Sequence, residues 1–156
     1  TKGAHSWEHL LAELAAYSGQ GIVMEGAQHK PFPLLFEELA LRCARRGTSE
    51  IALKRHVAQL VGDIVPNDVH AGLMSLPFRH VLTTNYDYCL EKGAADRNNV
   101  VDLKNESRYS LFRCRESKPG QRVWHVHGEA DKPDTIVLGH DQYVGYLARM
   151  RGYLTK

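Results

Sequence analysis

Val81-Leu82-Thr83-Thr84-Asn85-Tyr86-Asp87 runs from an apolar segment through a polar turn into the start of a helix. The apolar run extends from Phe78 to Thr83 behind Pro77, and its length and β-branched content suit a buried strand. A helix from about Tyr86 to Glu91 is expected directly after it, ending at Gly93. In an open parallel sheet, ligands gather outside the carboxyl ends of the strands, and Asn85 falls at such an end. Two readings of this turn stand side by side. Thr84 or Asn85 caps the helix and Asp87 complements its dipole, or the same residues present polar groups to a ligand at a helix N-terminus.

Working outward, Arg122 to Val126 reads as a second buried strand that ends on His127-Gly128, and Thr135 to Leu138 as a third. A helix follows from His140 to Gly152, carrying Tyr143, Tyr146, Leu147 and Met150. The polar stretch from Ala94 to Gln121 reads as loop, with short strands near Val100–Leu103 and Tyr109–Cys114. Upstream, the apolar spacing is helical. Ser6 caps a helix with Trp7, Leu10, Leu11 and Leu14, which Gly19 and Gly21 end. Pro31 and Pro33 open a helix to about Arg46, with Leu34, Leu35, Leu39 and Cys43 inward. Thr48 or Ser49 caps a third helix closed by Gly62, and Asn67 or Asp68 a short fourth with Leu73 and Leu76. Strands alternating with helices predict an α/β fold with a parallel sheet.

The chain has 156 residues, enough for a real core, with 43% hydrophobic and 24% charged residues and a net charge of +2. Near-neutral charge without a basic stripe gives no footprint for direct nucleic-acid contact. No run approaches the length of a membrane span. Cys43, Cys89 and Cys114 are odd in number and widely spaced, which points away from a disulfide framework or a Cys-based zinc site and toward a reducing cytoplasm.

His127 is the strongest acid–base candidate, because imidazole titrates nearest neutrality and Gly128 lets the backbone turn beside it. It can equally be a strand-end His bonded to a carbonyl. His125 and His127, two apart on a strand, would face the same side. A metal there would need Glu129, Asp131 or His140 as well, and no metal is assigned.

Together these segments resemble a known family. Thr83-Thr84-Asn85-Tyr86-Asp87 resembles the Thr-x-Asn-x-Asp motif of sirtuins, and His127-Gly128 their catalytic His-Gly. Asp131-Lys132-Pro133-Asp134-Thr135-Ile136-Val137-Leu138-Gly139 followed by Tyr143 resembles the zinc-free, sirtuin-like branch of prokaryotic NAD-consuming proteins. Ser6-Trp7-Glu8-His9-Leu10-Leu11 is similar to the stretch after that branch's Gly-rich loop. The ordered set is far more specific than any one motif.

The resemblance implies a Rossmann-like parallel sheet flanked by helices. A helical subregion (about 33–76) stands in place of a zinc module, and the core sheet segment with the Asn and His motifs lies at 77–156. It implies NAD as substrate without zinc, with Asn85 and His127 catalytic and Thr83, Thr84, Asp87 and Gly128 around the bound NAD. The implied activity is NAD glycohydrolysis in anti-phage or stress-triggered NAD depletion, by a homo-oligomer or a longer chain answering a phage-derived trigger. Alternatives are a non-catalytic nucleotide-sensing module, or a protein deacylase or ADP-ribosyltransferase; the absent paired cysteines disfavour the deacylase. The family's Gly-rich phosphate loop should precede Ser6, where only Thr1-Lys2-Gly3-Ala4-His5 stand, so 1–156 is expected to be one partial domain.

Overall fold

A computed structural model describes residues 6–19, 30–96, 100–101 and 120–154. Four helices come first: α1 (Trp7–Tyr17), α2 (Phe32–Ala44), α3 (Glu50–Gly62) and α4 (Asp68–Met74). Their starts follow local chemistry. Ser6 Oγ accepts the His9 N–H at 3.2 Å, and Ser49 Oγ accepts the Ala52 N–H at 3.4 Å. Pro31 and Pro33 open α2, where the missing N–H costs nothing. Asn67 and His70 close a reciprocal capping box on α4.

Apolar stripes pack α1, α2 and α3 together through Leu11, Leu14, Phe36, Leu39, Cys43, Leu53 and Val57. This core does not end within the bundle. It takes in Tyr86, Tyr88, Ala130, Ile136 and Leu138 from the loops at the carboxyl ends of two strands. The helical layer therefore sits over the edge of the sheet where ligands collect.

The sheet has three parallel strands in the order β1 (His80–Thr83), β3 (Gln121–His125), β2 (Val100–Val101). His80 pairs with Arg122 and Thr83 with His125. Val81 and Val123 share a face with Met74 of α4 and with Leu90 of α5 (Cys89–Gly93). The last helix, α6 (His140–Leu154), docks on α2 and α3. Glu37 accepts the Asp141 N–H at 2.7 Å, and the Gln142 amide hydrogen bonds to Glu50.

Some expectations are corrected. The helix after β1 begins at Cys89, not Tyr86, and neither Thr84 nor Asn85 caps it. Asp87 Oδ1 takes the Cys89 N–H at 2.9 Å instead. Residues 135–138 form no strand of the sheet. Pro133–Thr135 is a single 3-10 turn, and Ile136, Val137 and Leu138 are all buried in succession against the helical layer. A short apolar run looks alike whether it pairs or simply plugs a core. In α2, Phe36 is buried while Leu34 is exposed; in α4, Met74 points inward while Leu73 faces out, and Leu76, expected in that helix, lies exposed beyond its end. Gly3, Ala4, Gly21 and the strand expected at Tyr109–Cys114 lie outside the described residues, as does the end of the one expected at Val100–Leu103.

Gly128 has φ +95°, and a Cβ there would lie 2.3 Å from the Thr135 carbonyl oxygen, backbone that cannot swing aside. Gly47 has φ +84° with open space around it. Gly128→Ala is expected to cost about 2–4 kcal/mol of stability and Gly47→Ala about 1 kcal/mol, a difference read by denaturant unfolding.

Candidate active site

Two turns meet at the carboxyl ends of β1 and β3, and the backbone stitches them together. Val126 N–H donates to the Thr83 carbonyl and Ala130 N–H to the Tyr86 carbonyl, both at 2.9 Å. Tyr86 Oη donates to the Val137 carbonyl at 2.8 Å, while Val137 N–H donates to the His127 carbonyl at 2.9 Å. Two segments far apart in sequence are thus held at fixed spacing.

Between these turns and the helical layer lies a cavity of about 330 Å³. Thr84, Asn85, Asp87 and His127 line it, together with His70 of α4. Its walls are Trp7, Leu10, Val61, Ile64, Tyr86 and Tyr143. Four of the six site residues expected from sequence therefore share one cavity. Thr83 and Gly128 do not line it. Thr83 Oγ1 accepts the Asn85 N–H at 3.1 Å and so shapes the turn, while Gly128 admits the Thr135 carbonyl. A larger cavity of about 520 Å³ lies on the other side of Asn85, walled by Val69, Leu73, Phe78 and Leu82; neither Asp87 nor His127 reaches it. His70 and His80 line that larger cavity, whereas Asp87 and His127 line the smaller one.

His127 stands edge-on to Tyr143 and Tyr146, with ring centroids at 4.9 and 5.6 Å. Burial lowers its pKa below the ordinary value near 6.5, so the ring is neutral at pH 7 and able to accept a proton. Tyr86, which shares the cavity wall with Tyr143, has its Oη–H committed to the Val137 carbonyl.

The expectation that His125 and His127 share a face is overturned. Strand β3 ends at His125 and the chain turns at Val126-His127, so the alternation stops. His125 enters the core below α5, while His127 reaches the cavity. Glu129 is buried, bonded by Tyr88 Oη at 3.0 Å and paired with Lys132 at 2.7 Å.

Two wall residues escape sequence reasoning. Trp7, expected in the core, is 37% exposed at the cavity mouth, stacked on Phe32 and edge-on to Tyr86. His70 carries no motif beyond its capping box, and only the packing of α4 brings it near Asp87. Its ligating atom lies within 4.8 Å of those of Asp87 and Cys89. All three side chains are committed to protein hydrogen bonds. His70 Nδ1 accepts the Asn67 N–H at 3.1 Å, which leaves the proton of the neutral ring on Nε2. Asp87 caps α5, and Cys89 Sγ is bonded to the Ile64 carbonyl at 3.4 Å. Burial, then Asp87, pushes the Cys89 thiol up to about 12.

A strand-end Asn, an Asp at the next helix start and a neutral His thus share one cavity. The SIR2-like domain profile matches residues 79–156 of the 156, and the chain belongs to that family. Two curated relatives carry the name NAD(+) hydrolase ThsA. The Acinetobacter baumannii (strain 532279) protein is 29% identical over 92 residues, covering 58% of this chain and 18% of its own length. The Bacillus cereus (strain MSX-D12) protein is 31% identical over 87 residues, covering 54% and 17%. The chain thus spans less than a fifth of the length of these relatives. No helix among the described residues is long and apolar enough to cross a membrane.

The lowered pKa of His127 predicts a sign. Its neutral form is favoured by folding, so this contribution to stability is whole above about pH 6.5 and is lost as pH falls through the folded value. NMR titration of the His127 ring should give a midpoint below 6.5, and Tyr143→Phe, which keeps the burying ring, should leave that midpoint low.

Proposed function

We propose that the protein hydrolyses NAD at the nicotinamide–ribose bond, releasing nicotinamide and ADP-ribose. The observation that carries this is the meeting of Asn85, Asp87 and His127 in one aromatic-walled cavity, in a chain of the SIR2-like family. The two relatives named as NAD(+) hydrolases lend support at the family level.

The chemistry follows from the groups. Nicotinamide in NAD is a pyridinium, and an acidic side chain with aromatic faces suits a cationic ring. The C1′–N bond breaks with both electrons going to the pyridinium nitrogen, giving neutral nicotinamide and an oxocarbenium-like ribose, as in glycoside cleavage. The Asn85 carboxamide orients a water toward C1′. As the C–O bond forms, neutral His127 takes the water's proton. Asp87 and Trp7 hold the nicotinamide end, and His70 Nε2–H offers a donor beside Asp87. No covalent nucleophile is required, because the leaving group departs uncharged.

In this reading Thr83 and Gly128 act by shaping the two turns around NAD. NAD depletion in anti-phage defence, by an oligomer responding to a phage-derived trigger, belongs to the same proposal and follows the sequence resemblance. The helical subregion at 33–76 stands where a zinc module would shape an acyl-lysine cleft, which favours hydrolysis over deacylation.

Incubation with NAD, followed by chromatography, should show nicotinamide and ADP-ribose in equal amounts. Asn85→Ala and His127→Ala should each lower kcat by about 10²–10⁴-fold. NAD binding without nicotinamide release, in the presence of infected-cell extract, sinks the hydrolase reading and leaves a nucleotide sensor. Release that depends on an added acyl-lysine peptide indicates a deacylase instead.

A further inference from the structure

His125 is a buried ionisable group that the reaction above leaves unused. It projects from the end of β3 toward α5, with the Tyr88 ring edge-on at 5.2 Å. Its Nδ1 lies 2.8 Å from the backbone oxygen of Asn85 and its Nε2 lies 2.8 Å from Glu91 Oε1. A carbonyl oxygen only accepts, so Nδ1 carries a proton. With the ring charged, Nε2 also donates, and both hydrogen bonds are charge-assisted. Burial alone would lower the pKa of this ring. The hydrogen bond to Glu91, the one to the Asn85 carbonyl and the charges of Glu91 and Glu129 outweigh burial and raise it. Glu91 Oε2 is buried without a hydrogen-bond partner, and His125 is the ion-pair partner of this carboxylate among the described residues.

We propose that His125 and Glu91 form a charged strut that fixes where Asn85 presents its carboxamide, making His125 a positioning residue, a role whose catalytic consequence rests on the hydrolase reading. Both backbone groups of Asn85 are engaged: its N–H by Thr83 Oγ1 and its carbonyl by His125. Asn85 is exposed and lines the cavity. The aim of its carboxamide is therefore set through the backbone, and the His125 bond ties the Asn85 carbonyl itself to β3, the strand that leads into His127. Because the strut connects α5, the turn after β1 and β3, it adds a side-chain tie to the backbone bonds that space the two proposed catalytic groups.

Two substitutions separate positioning from packing. Asn places an amide N–H near the Nδ1 position and keeps the bond to Asn85; Gln places one near Nε2 and keeps the bond to Glu91. His125→Gln should lower kcat about 100-fold with KM changed less than about threefold, since a small misplacement of a reacting group costs that much. His125→Asn should stay within about tenfold of the parent kcat, although both variants lose one contact and melt at similarly lowered temperatures. Equal activity in the two variants, or losses that follow their melting temperatures, overturns the role.

The charge gives an independent readout. Among the described residues, Glu91, Tyr88 and Glu129 are the titratable groups facing this ring. The strut is intact below the ordinary histidine value and weakens as pH rises through the raised one, so kcat falls on the alkaline side. Glu91→Gln removes the anion and should shift that fall to lower pH; an unmoved alkaline limb counts against the strut. Long-range imidazole ¹⁵N spectra at neutral pH should show both His125 nitrogens protonated. If the parent releases no nicotinamide, the hydrolase reading falls, and these spectra alone judge the strut: a neutral His125 ring overturns it.

Discussion

The site depends on one constraint, the registration of two strand ends that lie far apart in sequence. Thr83 and His125 are partners in the β1–β3 ladder, and the ladder continues past the strands as the Val126–Thr83 and Ala130–Tyr86 hydrogen bonds. Parallel pairing makes both chains leave the sheet on the same side, so the Asn85 turn and the His127 turn arrive together. Antiparallel pairing would send them to opposite ends. From this registration follow the cavity and its floor of stitched backbone.

The helical layer completes what the sheet begins. Its core reaches Tyr86, Tyr88, Ile136 and Leu138, so the same burial that stabilises α1, α2 and α3 also closes the cavity above Asn85. In the low-dielectric space so formed, burial keeps His127 neutral. Tyr143 and Tyr146 of α6 stand against the ring on its own side of that space. Close packing also explains Gly128, where the turn after β3 meets the Thr135 carbonyl with no room for a side chain.

The two histidines flanking Val126 are chemically alike and perform different work. His125 ends a strand, lies in the core and finds two acceptors; His127 lies in a turn, is half-buried and finds aromatic edges. Their environments move the pKa values in opposite directions, upward for the first and downward for the second. A single turn of backbone at the strand end accounts for the difference.

Much of the local structure was legible in the sequence because its causes are local. Ser6, Ser49 and Asn67 cap helices by bonding within three residues, and the spacing of Leu10, Leu11 and Leu14 announces a buried stripe. The motif residues Asn85, Asp87 and His127 were likewise readable, since strand ends in an α/β fold are marked by where apolar runs stop. Other features arise from contacts between distant segments, which periodicity does not encode. Burial alone cannot tell the plug at Ile136–Leu138 from a strand. Asp87 accepts the first N–H of α5, which starts three residues later than the sequence suggests. His70 joins the site only through the docking of α4, and His125 becomes a strut only because Glu91 and the Asn85 carbonyl converge on its two nitrogens. The chain's own chemistry chose its helices, its strands and the side chains able to act. Tertiary structure chose which of those side chains meet, because parallel pairing and helix docking bring together groups that no spacing along the chain relates.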